Sequence, residues 1–140
     1  MKYVKSLFTL AAAAFLLTAG ARAGDVKVIA NNSVTASSIS TEDLMGVFLM
    51  TKASLSGAHV EPVLEQGGPT HEAFLKEYIH KTAQALQNYY RAQMFAGTGS
   101  MPKTLSSDAE VVEFVAKTKG AIGYVAASAS TAGVKTLEVK

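Results

Sequence analysis

Four residues in the middle of the chain, Gly67-Gly68-Pro69-Thr70, have the types and spacing to hold an anion without any charged side chain. The apolar run Val60-Glu61-Pro62-Val63-Leu64 reads as a strand, Gly67-Gly68-Pro69 breaks it, and Thr70 opens a helical pattern carried by Phe74, Leu75, Tyr78 and Ile79. A strand, tight turn and helix in that order leave backbone N–H groups unpaired at the positive end of a helix dipole, where an oxyanion can sit. The same four residues also read as an ordinary turn with an N-cap, because Gly-Gly-Pro-Thr lacks the spacing of a P-loop or a dinucleotide fingerprint.

Other chemistry is sparse. His71-Glu72 has Leu75 where the zinc-protease pattern H-E-x-x-H requires a second histidine. His59, His71 and His80 match no metal-ligand spacing and read as solvated surface residues. There is no G-x-S-x-G, and with no cysteine there is neither a thiol nucleophile nor a disulfide. Glu61 and Glu65 share one side of an alternating strand, yet Pro62 interrupts the ladder and favours an edge or surface position over an acid/base pair. The expectation is a protein without catalytic activity, bound metal or cofactor.

These residues need elements to position them, and the chain supplies an α/β order. Asp25 to Ala30 alternates as a short strand and ends in Asn31-Asn32-Ser33, polar residues at a strand's carboxyl end, where open α/β sheets place ligands. Those three are further candidate ligand contacts, and they also read as plain loop residues. Val34 to Ser40 reads as a connector, after which Ser40 caps a helix whose Leu44, Val47 and Phe48 form its core face. Met50 to His59 reads as a loop leading to the central strand. A helix from about Thr82 to Phe95 places Ala85, Leu86, Tyr89 and Tyr90 on one side, with the tyrosines as core and rim. Gly97 to Pro102 is a loop, Ser107 caps a last helix with Glu110 at the capping-box position, and Gly120 stops it. Ala121-Ile122-Gly123-Tyr124-Val125 is an apolar strand, and Lys135 to Val139 alternates as a final edge strand.

The first residues are an export leader. Lys2 and Lys5 form a basic n-region, Leu7 to Leu17 an apolar core, and Ala21-Arg22-Ala23 an A-x-A cleavage site. Cleavage after Ala23 removes residues 1–23 of 140 and leaves 117, one domain's worth, at 24–140. Three of the 13 basic residues, Lys2, Lys5 and Arg22, leave with it, so 10 face 11 acidic ones and the net charge is about −1. No basic stripe remains to suggest nucleic acid, and no apolar stretch reaches the roughly 20 residues that span a bilayer. A periplasmic location is expected.

Several segments together resemble the phosphate-type periplasmic substrate-binding proteins of ABC transporters, as a short single-lobe relative. Ser40 to Leu49 is similar to that family's L-S-x-x-x-L-x-x-I-F-L-G-K helix. Val60-Glu61-Pro62-Val63 followed by a Gly-rich turn and Glu72-Ala73-Phe74, then Phe95 to Pro102, and G-A-I-G-Y-V at Gly120 to Val125 follow in the family's order. The resemblance implies one lobe of a type 2 periplasmic-binding fold, α/β with a mixed sheet flanked by helices. It also implies a small oxyanion ligand, phosphate by family default, with Gly68 and Thr70 as contacts and Gly67 and His71 beside them. A membrane permease or an envelope protein is the implied partner, and two copies could complete a cleft as a homodimer. The chain departs from the pattern in three places. Pro69 has no N–H to give, the arginine before the turn is replaced by Leu64 and Glu65, and a second lobe is missing. Those departures fit an alternative, a non-transport interaction or sensing module built on a degenerate lobe.

Overall fold

The computed structural model describes residues 25–140, so the expected leader and its cleavage point lie outside the described residues. A six-stranded mixed sheet of order β2-β8-β1-β7-β5-β6 forms the middle layer. Its strands are β1 (Val26–Ala30), β2 (Ser38–Ile39), β5 (Glu61–Glu65), β6 (Lys103–Leu105), β7 (Ala121–Ala126) and β8 (Lys135–Val139), while β3 (Ser54–Leu55) and β4 (Ala58–His59) make a separate hairpin. β1 runs antiparallel to both β7 and β8, whereas β5 is parallel to β6 and β7. The helices are α1 (Thr41–Phe48), α2 (Pro69–Phe74), α3 (Ala83–Phe95) and α4 (Asp108–Lys117). α2 continues as a π-helical stretch, Leu75–Ile79, which His80 ends in the left-handed conformation at φ 58°.

Strand alternation divides the core between two faces. Val26, Val28 and Ala30 of β1 join Ile122 and Tyr124 of β7 against Leu44, Val47 and Phe48 of α1, Phe74 of α2, and Leu86 and Tyr90 of α3. Ile29, Val63, Ala121 and Val125 face the other way, onto Val111 and Val115 of α4. The fold is α/β with a mixed sheet flanked by helices on both sides, as the sequence leads one to expect.

Several local expectations are corrected. The connector at Val34 to Ser40 contains β2, which lies parallel on the outer side of β8, so the C-terminal strand is not an edge. The supposed loop at Met50 to His59 holds the β3–β4 hairpin, and β6 follows Pro102. Each of these strands is two or three residues long, too short to carry a periodic signal. Ala85 is exposed on α3, leaving Leu86 and Tyr90 as its buried residues. Ser107 caps α4 as expected, accepting from the Glu110 N–H at 3.2 Å, but the Glu110 carboxylate reaches back to the N–H and hydroxyl of Ser106, not to Ser107.

Glycine is required where the G-A-I-G-Y-V run begins. Gly120 turns the chain at φ +79° with its Cα so close to β4 that a Cβ would lie 2.5 Å from the His59 carbonyl oxygen. Its N–H donates to the Ser33 hydroxyl and its carbonyl accepts from Glu61. This one residue thereby fixes the start of β7 beside the start of β5.

Candidate functional site

Because β5 and β7 are parallel and β1 opposes them, Glu65, Ala126 and the start of β1 lie together at one end of the sheet. The Gly67–Thr70 turn leaves β5 at that end. Gly67 and Gly68 take φ values of +151° and +94°, conformations open to glycine, and point the space where a Cβ would be into the open. Gly68 serves as N-cap and its carbonyl accepts from Glu72 N–H at 3.0 Å, with Pro69 as the first helical residue, where the missing N–H costs nothing. The N–H groups of Gly67, Gly68, Thr70 and His71 have no acceptor among the described residues. Gly67 and Gly68 are exposed, and Thr70 is half-buried.

Beside the turn is an open cavity of about 380 Å³ lined by Asp25, Pro69, Thr70, Ala126, Ala127 and Ser128. The hydroxyls of Thr70 and Ser128 make no hydrogen bond within the described residues. Free amides, two hydroxyls and a helix start can satisfy the lone pairs of a small oxyanion. The lining includes no Lys or Arg, so the backbone must supply the attraction.

A buried network behind the turn holds it in place. Tyr124 is fully buried, its ring stacked on Phe74 with centroids 3.9 Å apart and planes 8° off parallel. Its hydroxyl accepts the Glu65 N–H at 3.0 Å and makes a short hydrogen bond with His71 Nδ1. The hydroxyl, which accepts the Glu65 N–H, has its own proton to give to His71 Nδ1, an arrangement that keeps the imidazole neutral with its proton on Nε2. Burial holds the His71 pKa below the ordinary 6.5, opposed by the charge of Glu72. Burial likewise pushes the Tyr124 hydroxyl well above the ordinary tyrosine range.

Glu65 is only 6% exposed. Its Oε1 has no hydrogen-bond partner among the described residues. Burial first, then the hydrogen bond and negative charge of Asp108, push its pKa from 4.5 up to about 8, so at neutral pH it is a carboxylic acid. Asp108 opens α4, where the helix dipole favours its negative charge, and accepts the Ala126 N–H at 3.3 Å.

The structure puts Gly67, Gly68, Thr70 and His71 on one turn, of which Thr70 lines the cavity, and sends Asn31, Asn32 and Ser33 elsewhere. β1 runs opposite to β5, so its carboxyl end lies at the far edge of the sheet. There Asn31 donates to the carbonyls of Val115 and Ala116, Asn32 to that of Gly133, and Ser33 receives Gly120 N–H. His71 is 7% exposed, against its expected place on the surface, because it falls on the inner face of α2 with Ala73 and Phe74; His59 and His80 are exposed. Among the described residues, no group of three or more His, Asp or Glu side chains is placed to hold a metal. Sequence reading missed Tyr124 and Asp108 as framework. Asp108 directly after the cap Ser107 was the available signal.

No family model matches the chain by sequence, and no curated protein does. Solved structures do match in fold. A putative phosphate ABC transporter substrate-binding protein with bound phosphate from Clostridium perfringens aligns with a TM-score of 0.65 at 14% identity, over 82% of this chain and 44% of its own. PstS from Borrelia burgdorferi aligns at 0.63 and 16%, over 83% and 47%. An ABC-type phosphate transport receptor from Vibrio cholerae aligns at 0.56 and 11%, over 82% and 46%. The chain thus has the lobe fold of phosphate ABC transporter substrate-binding proteins and spans less than half the length of these three.

Proposed function

We propose that this protein is a periplasmic binding-protein-like lobe that captures a small oxyanion, phosphate in the first instance, on the amides of Gly67, Gly68, Thr70 and His71. The observation that carries the reading is a set of four N–H groups, next to the Thr70 and Ser128 hydroxyls, that have no partner among the described residues and lie at the carboxyl ends of parallel strands. The fold shared with phosphate-binding proteins supports the choice of ligand. The protein acts by binding and is not an enzyme. It reaches the periplasm through a leader cleaved after Ala23, and hands its anion to a membrane permease or reports it to an envelope partner. Among the described residues no helix is long and apolar enough to cross a membrane. A calorimetric titration of the 24–140 domain with phosphate, sulfate and molybdate tests the reading. Thr70→Ala should weaken binding several-fold by removing one hydroxyl. No heat and no thermal shift with millimolar anion in the wild type would refute it.

A second reading, an interaction module on a degenerate lobe, is favoured by the exposed Met94, Phe95 and Met101, at the end of α3 and in the segment that leads to β6. Phe95 is 92% exposed, unusual for a ring of that size without a partner. Recovery of one periplasmic protein by the wild type but not by Phe95→Ser, with phosphate making no difference, would support this reading over anion capture.

A further inference from the structure

Directly behind the crevice two acids meet without a cation. The Glu65 side chain points to the α4 side of the sheet, as Val63 does, and there it meets Asp108. Neither has an ion-pair partner among the described residues. The groups that face the pair leave it uncompensated. Tyr124 on β7 is a neutral phenol engaged with the Glu65 N–H and His71, and His71 on α2 is neutral. Lys27 on β1 gives its ammonium to the Ala129 carbonyl, and Lys103 on β6 lies over the Phe114 ring at 5.8 Å. The start of α4 accommodates one negative charge on Asp108. A second charge on enclosed Glu65 has no such support, and Oε1 has no donor to receive it.

The Ala126 N–H that binds Asp108 belongs to a residue whose other side lines the cavity, and Glu65 lies two residues before Gly67. With Glu65 ionised a bound anion would be the third negative group there, and with the pair holding one proton it is only the second. We propose that Glu65 and Asp108 form a carboxyl pair that must hold one proton for the crevice to accept an anion, so that capture is proton-linked and fails in alkali. This rests on the anion-binding reading and adds regulation to it. Linkage runs both ways: the anion favours the protonated pair, and loss of the proton expels the anion. The raised pKa of Glu65 places the transition near neutrality.

Sulfate is the probe, because its charge does not change between pH 6 and pH 9 and any change in affinity then belongs to the protein. Its affinity for the wild-type 24–140 domain should fall about tenfold from pH 7 to pH 9, as one proton is lost from a group with a pKa near 8. Glu65→Gln should keep its pH 7 affinity and lose the pH dependence, and Asp108→Asn should move the fall to lower pH, because the Asp108 charge raises the Glu65 pKa. A wild-type affinity that is level across this range, or the same slope in Glu65→Gln, would overturn the proposal. If neither sulfate nor phosphate binds at any pH, anion capture and its proton linkage both fail. The proton pair is then judged separately by melting: a wild-type Tm that falls as pH rises from about 4.5 to about 8, more steeply than that of Glu65→Gln, keeps the pair, and parallel curves remove it.

Discussion

Tyr124→Phe is the substitution that most directly tests what holds the turn. It removes one oxygen and keeps the ring, so the stack on Phe74 and the contact with Phe48 survive. Two groups lose their partner: the Glu65 N–H, 3.0 Å from the hydroxyl, and His71 Nδ1. Both lie in residues less than a tenth exposed, so water does not replace the hydroxyl without rearrangement. A buried polar group left unpaired costs about 1–3 kcal/mol, so the two together should cost roughly 2–6 kcal/mol. Against a total of about 5–15 kcal/mol for a domain this size, that is a large fraction, and the Tm should drop by roughly 10 °C or more. Urea titration is the assay, with an unchanged m-value as the check that the same fold is being unfolded. Because the hydroxyl fixes the end of β5 against the start of α2, anion affinity should fall too. A loss below about 0.5 kcal/mol would refute the reasoning, since the hydroxyl would then not be the group that satisfies Glu65 and His71.

Gly120→Ala should be the most damaging small change in the chain: it combines a left-handed residue with a Cβ 2.5 Å from the His59 oxygen, and a loss of about 3 kcal/mol or more in urea is expected. Below neutrality, His71 should withdraw stability, against the opposite trend that the raised Glu65 pKa imposes between about 4.5 and about 8. The His71 pKa is lower folded than unfolded, so its contribution is present above about 6.5 and lost as pH falls through the folded value. His71→Asn, which keeps an acceptor without ionising, should lose less or gain more stability than the wild type on going from pH 7 to pH 5, read as the difference between their melting curves. Ser107→Ala should cost about 1 kcal/mol in the same urea assay, because the hydroxyl caps the Glu110 N–H at the start of α4.

The elements with strong local patterns could be read in advance. β1, β5 and β7 alternate or run apolar, α1 and α4 follow Ser caps, and the Gly67–Thr70 turn lies between a strand and a helix as its residues require. What escaped was decided by partners far along the chain. β2 exists because β8 offers it an edge, and β6 because β5 does. Glu65 looked like a surface residue, but β5 lies inside the sheet and the face that Glu65 shares with Val63 is covered by α4. Asn31 to Ser33 satisfied the strand-end rule in sequence, yet that rule needs strand direction, and antiparallel pairing with β7 reverses it. His71 and Tyr124 are far apart in sequence, and no spacing rule brings them together.

The central claim is that the amides of the glycine turn receive an oxyanion. Amide ¹H–¹⁵N spectra of the labelled 24–140 domain, recorded at pH 6.5 during titration with phosphate, observe those groups one by one. The account predicts that Gly67, Gly68, Thr70 and His71 shift together and saturate along a single binding curve, with Asn31, Asn32 and Ser33 unmoved. Shifts confined to lysine-bearing surface segments, or none at the four amides at saturating phosphate, would contradict it.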